Sequence, residues 1–190
     1  MKNLLLFISI VWFFESCKST YGIKSTKIVN EENIKIISAF YKIKQSYIVD
    51  KRSYIDFLKT LSKDSLFIKN HTQPLQAIYF GENGKMISYH INCNAGGFPN
   101  LVWNKNNLLE TFPPKTQTKV DTLFILNKFM EYLKIKNSIE TKQYVFLFWN
   151  DCLGRQTKRF LDQFRANLEK PFVDKNIQII YINNDNLYVN

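Results

Sequence analysis

Tyr144–Trp149 reads YVFLFW, and after the turn Asn150-Asp151-Cys152-Leu153-Gly154 the chain continues as RQTKRFLDQF over residues 155–164. Six apolar residues in a row predict a strand covered on both faces. Phe160, Leu161, Phe164 and Leu168 then recur at helical spacing, and the helix must stop before Pro171. Ile177–Ile182 (IQIIYI) is a second strand of the same kind. A strand–helix–strand unit of this length predicts parallel pairing with a right-handed crossover.

Upstream lies a hairpin signal. Asn83-Gly84 separates two alternating runs, Leu75–Gly81 and Met86–Cys93, and Asn-Gly favours a two-residue turn because both residues tolerate positive φ. That turn pairs Phe80 with Ile87 and Ile78 with Tyr89. Ile78, Phe80, Ile87, Tyr89 and Ile91 then form the apolar face, while Ala77, Tyr79, Ser88 and His90 point to the other, partly exposed side. Helices are expected from Asn30 (Ile34, Ile37, Phe40 and Tyr41 on one face), from Ser53 (Tyr54, Phe57, Leu58 and Leu61), and over Lys119 to about Lys134. In the last, Thr118 is the cap, and Leu123, Leu126, Met130 and Leu133 form the seam. Leu101–Trp103 and Leu108–Phe112 read as short strands between the turns at residues 94–99 and 113–114. The fold class is α/β, a small mixed sheet of an antiparallel hairpin and a parallel strand–helix–strand unit with covering helices.

The N-terminus bears on address. Lys2 precedes an unbroken apolar run, Leu4–Phe14, and Ser16-Cys17 is followed by the polar Lys18-Ser19-Thr20. The run is too short to cross a bilayer, which takes roughly 20 apolar residues, and fits the core of a signal peptide. A small residue before a cysteine at this point resembles the lipobox of bacterial lipoproteins, and the loose form ending in Ser-Cys-Lys is similar to that of the Bacteroidetes group. Phe14 and Glu15 depart from the usual Leu and small residue. The resemblance implies residues 1–16 as a signal peptide, lipidation (palmitate included) at Cys17, a tether over 17–29 and a single domain over 30–190. It also implies anchoring to a membrane of the cell envelope, the outer one by preference, facing the periplasm or the cell surface. The formal net charge is +10, with lysines scattered along the whole chain. In that compartment such a surface suits anionic lipid, an envelope protein or a polysaccharide rather than nucleic acid.

Chemistry has few carriers. With lipid on Cys17, Cys93 and Cys152 remain as a candidate disulfide pair in an oxidising compartment. Such a pair needs the hairpin's second strand beside Tyr144–Trp149. No metal-ligand spacing occurs, so no metal or cofactor is expected, and no nucleophile–base motif marks a catalytic residue. Residues 145–164 resemble the first active-site unit of thioredoxin-like proteins, a buried strand ending in Phe-Trp, a turn with Cys and Gly, then an amphipathic helix. The following IQIIYINND resembles that family's next strand. Aligned on Trp149 and Gly154, the two redox positions hold Leu153 and Gln156, Cys152 falls one place early, and the sequence after IQIIYINND is too short for the hairpin that completes that family's site. Thiol–disulfide exchange needs a resolving partner, so the resemblance implies a fold without its activity. The topological rule for open α/β sheets adds a candidate ligand site at the carboxyl ends of the two strands, formed by Asp151, Asn184 and Asp185. The favoured reading is a non-catalytic accessory or binding lipoprotein of the envelope. Its rival is an envelope thiol protein or enzyme of thioredoxin-like descent using Cys152.

Overall fold

A computed structural model describes residues 23–91, 105–116, 118–135, 143–173 and 176–189. Its elements in chain order are α1 (Asn33–Phe40), β1 (Ser46–Ile48), α2 (Lys51–Leu61), α3 (Ser65–His71), β2 (Gln76–Phe80), β3 (Met86–Ile91), a 3-10 turn at Lys105–Glu110, α4 (Leu126–Tyr132), β4 (Gln143–Trp149), α5 (Gly154–Leu168), β5 (Ile177–Asn183) and a 3-10 turn at Asp185–Leu187. The five strands form one mixed sheet in the order β1-β5-β4-β2-β3. β1, β5 and β4 are parallel, and β2 is antiparallel to both β4 and β3. The fold is therefore α/β with the hairpin and the parallel unit in one sheet, as the sequence pattern predicts.

The apolar run of β4 has the cause anticipated for it, because the sheet is covered on both sides. Tyr144, Phe146 and Phe148 enter a core with α2, α3 and α4, and Val145, Leu147 and Trp149 enter another with α1, α5 and Leu109. α2 begins where Asp50 accepts a hydrogen bond from Ser53 N at 2.9 Å, and it buries Tyr54 and Leu58. This is the Asx cap that leaves a first-turn N–H satisfied. α5 buries Phe160, Leu161 and Phe164 on the opposite side.

Several elements differ from the sequence reading. In the hairpin, Ile78 does face Tyr89, but a bulge between Tyr79 and Phe80 pairs Phe80 with Met86. Met86 takes the core place expected for Ile87, which is exposed. Gly84 adopts φ +69°, but Asn83 does not take a positive φ, and with Gly84 N on Gly81 O and Gly81 N on Lys85 O the connection is longer than the two-residue turn expected. His90 is buried rather than partly exposed, since α5 and the Lys105–Glu110 turn cover its side of the hairpin. The helix expected from Lys119 is only α4. Residues 119–125 are irregular, with a bend at 122–123: Asp121 accepts from Leu123 N and lies 3.5 Å from the buried His71 ring, and Phe124 enters the core. Leu123 is consequently exposed. Lys105–Glu110 is a 3-10 turn where a strand was expected from Leu108, and the Leu101–Trp103 expectation falls outside the described residues. α1 buries Ile34 and leaves Phe40 exposed.

The tether also differs. Val29 is buried, and a reciprocal pair of 2.8 Å hydrogen bonds joins its backbone to the Asn186 side chain. Lys24 N donates to Cys152 O at 2.8 Å. The chain is thus bound to the domain from Lys24 onward, six residues before the expected boundary at residue 30.

Candidate functional site

β4 and β5 run parallel and in register to the pair Trp149–Asn183, so the turns that follow them meet at one sheet end. Asn184 N donates to Trp149 O at 3.0 Å and locks the two turns together. The Asp185 carboxylate then accepts from the backbone N–H of Asp151 at 2.9 Å, from that of Cys152 at 3.2 Å and from Asn183 Nδ2 at 2.8 Å. Asn150 Oδ1 accepts from Leu153 N at 3.0 Å and from Cys152 Sγ at 3.3 Å, while Thr157 Oγ1 donates to Asn150 O. Asn150 and Asp185 together shape the turn that starts α5, each doing for a loop what backbone partners do within a strand.

The structure does bring Asp151 and Asp185 together, but through the Asp151 backbone. Asp185 is almost fully buried, and its oxygens face N–H donors. Burial holds its carboxyl above the usual range, against the pull of those three donors. Asn184 is also internal. It receives a bond from Asn150 Nδ2 at 3.3 Å and gives one to Gln73 O at 3.1 Å, tying the site to the end of α3. Of the three predicted residues only Asp151 presents its side chain outward. Its Oδ1 accepts from Lys24 Nζ at 2.6 Å and from Tyr41 OH at 2.8 Å. Among the described residues no group of three or more His, Cys, Asp or Glu side chains is placed to hold a metal ion.

Cys152 is buried and carries a free thiol. A place at the head of α5 would favour a thiolate, but burial, with Asp185 and Asp151 beside it, pushes the thiol up to about 12. At neutral pH it is therefore a neutral hydrogen-bond donor to Asn150. Leu153 and Gln156, at the two positions where redox cysteines would stand, are both buried. The geometry argued for a Cys93–Cys152 bridge required β3 next to β4, and β2 lies between them. Cys93 itself is outside the described residues.

Between the tether segment, α1 and this turn opens a cleft of about 280 Å³, with Lys24, Asn33, Ile37, Asp151, Cys152 and Asp185 among its lining residues. That is near the lower end for small-molecule sites, enough for one ring or one side chain. No known protein family, curated protein or solved structure matches this chain. The site must be read from its own chemistry. It offers the Asp151 carboxylate, already engaged by an ammonium and a phenolic hydroxyl, with an amide group and an apolar wall beside it, a set of groups suited to a polar ligand. Sequence reasoning missed Lys24 and Tyr41. Neither carries a local signal, since Lys24 lies in an aperiodic polar stretch and Tyr41 reads as one more apolar position of a helix.

Proposed function

We propose that this chain is a cell-envelope lipoprotein, anchored by lipid on Cys17, whose domain has a non-catalytic binding or accessory role centred on the cleft beside Asp151. The observation that carries the reading is the state of Cys152. The one thiol at the thioredoxin-like turn is buried, neutral and hydrogen-bonded, and no resolving cysteine stands at Leu153 or Gln156. A thiol enzyme of thioredoxin-like descent needs the opposite arrangement. The anchor is supported by the apolar run before Ser16-Cys17. Among the described residues no helix is long and apolar enough to cross a membrane. A lipid at Cys17 would hold the first residue of the cleft, Lys24, within seven residues of the bilayer, at most roughly 25 Å along an extended chain.

Two measurements on the full chain test the reading. Cys17→Ala is expected to remain an uncut precursor or to leave the membrane fraction; normal processing with membrane retention overturns the anchor. Native Cys152 is expected to react with iodoacetamide at pH 8 at least a hundredfold more slowly than in the denatured chain. A native rate equal to the denatured one overturns the non-catalytic reading in favour of a reactive thiol.

A further inference from the structure

The apolar side chains left in water are unevenly placed. Among the described residues the three most exposed large ones are Ile36, Phe40 and Ile28, at 75%, 73% and 69%, and Ile23 is exposed beside them in sequence. Isolated exposed apolar residues such as Leu66 and Phe172 are ordinary; a group of four within residues 23–40 is not. Their proximity is three-dimensional as well. Ile36 and Phe40 stand four apart on the outer stripe of α1. The tether segment runs back along that helix, with Ile28 O bonded to Asn33 Nδ2 at 3.1 Å at one end and Lys24 Nζ lying 5.5 Å from the Phe40 ring centre at the other. The stretch 23–44 carries five lysines against Glu31 and Glu32. Among the described residues, the acids lining the cleft are Asp151, which Lys24 neutralises, and the buried Asp185.

We infer that the outer face of α1, with residues 23–28, docks onto an anionic bilayer surface. The inference rests on the Cys17 anchor, which would begin only six residues before Ile23 and so bring this face, rather than any other, to the membrane. Apolar side chains flanked by lysines suit the boundary between headgroups and acyl chains, where burial of apolar area and attraction to anionic lipid act together. Docking in this way sets the orientation of the domain. It turns the mouth of the cleft, which lies between the tether segment and α1, toward the headgroup layer.

The test uses the mature chain carrying Cys17→Ala, so that binding cannot come from the lipid. It is mixed with vesicles of phosphatidylglycerol and phosphatidylcholine, or of phosphatidylcholine alone, and pelleted. Binding to the anionic vesicles only is expected, with at least a tenfold loss in the double variant Ile36→Asp, Phe40→Asp, and a loss of at least threefold between 50 and 500 mM salt. The control pair Leu66→Asp, Phe172→Asp, on other surfaces, is expected to bind as the parent does. Absence of binding to anionic vesicles, or equal loss in both double variants, overturns the docking face. So does protection of α1 from amide exchange by envelope proteins but not by vesicles. None of these results bears on membrane retention of the lipidated chain in cells, which tests the anchor separately.

Discussion

On one face of the sheet Phe129 lies within ring-packing distance of Tyr54, Phe57, Phe124, Tyr132, Phe146 and Phe148, with the closest centroids at 4.9 Å. On the other face, among the described residues, Trp149 meets the Tyr41 ring at 5.4 Å, and both aromatics carry a polar tip in use: Trp149 Nε1 donates to Ser46 Oγ, and Tyr41 OH donates to Asp151. The first face is an aromatic core whose tyrosines bond within it: Tyr54 OH donates to His71 O, and Tyr89 OH to Gln76 Oε1. The second carries a hydrogen bond, from Tyr41 to Asp151, that reaches the cleft, and it is the face to which α1 and the tether segment belong. Aromatic packing is therefore densest under α2 and α4, and the side-chain contacts to the cleft lie under α1.

The largest expected effect follows from that contrast. Phe129→Ala empties a fully buried ring site and should lower the free energy of unfolding by about 3–5 kcal/mol, read from urea denaturation. Tyr41→Phe on the other face removes one hydroxyl and should cost about 1 kcal/mol. Equal losses would show that the two faces do not differ as their contacts indicate.

A second effect separates conditions rather than positions. His90, on the face of α5, has its ring pushed down to about 4 by burial, with the backbone at Lys115 pulling the other way. The unfolded chain takes up a proton near pH 6.5 and the folded chain does not until about pH 4, so the stabilisation is complete above pH 6.5 and is lost as pH falls through that window. The loss amounts to roughly 3 kcal/mol. His71, stacked between Phe124 and Tyr89, is also lowered by burial and adds to the same slope. His90→Gln should therefore keep part of the acid sensitivity of the parent between pH 7.5 and 4.5. An unchanged slope in that variant would remove His90 from the account.

What the sequence disclosed follows from how local each cause is. β4, α5 and β5 were legible because a continuous apolar run and a helical stripe record burial directly. β1 was not, since Ser46-Tyr47-Ile48 is three residues whose pairing with β5 is decided 135 positions away. Residues 119–125 carried a helical pattern that the Asp121–His71 contact overrode. At the site, the rule about strand ends led to Asp151 and Asp185, but nothing local distinguishes the carboxylate that faces the cleft from the one that staples two turns. The docking of the tether was illegible for the same reason, because its partners are Cys152 and Asn186.

The smallest expected effect bears on that tether. Lys24 and Asp151 form a 2.6 Å ion pair, with their side chains 48% and 29% exposed. Solvent screens such a pair, so Lys24→Ala should change global stability by less than about 1 kcal/mol. Its consequence is local. Lys24 is held by the ion pair, by its ammonium over the Phe40 ring and by its backbone N–H on Cys152 O, whereas Val29 is held by burial and two bonds to Asn186 that the substitution leaves alone. Amide exchange in Lys24→Ala should therefore quicken over residues 24–27 and stay as slow as in the parent at Val29, since local opening follows the weakest contacts of a segment. Unchanged exchange over 24–27 would mean that the backbone bond alone seats the segment. Faster exchange through Val29 would mean that the ion pair clasps the whole strap over the cleft, making Asp151 the latch of its own site.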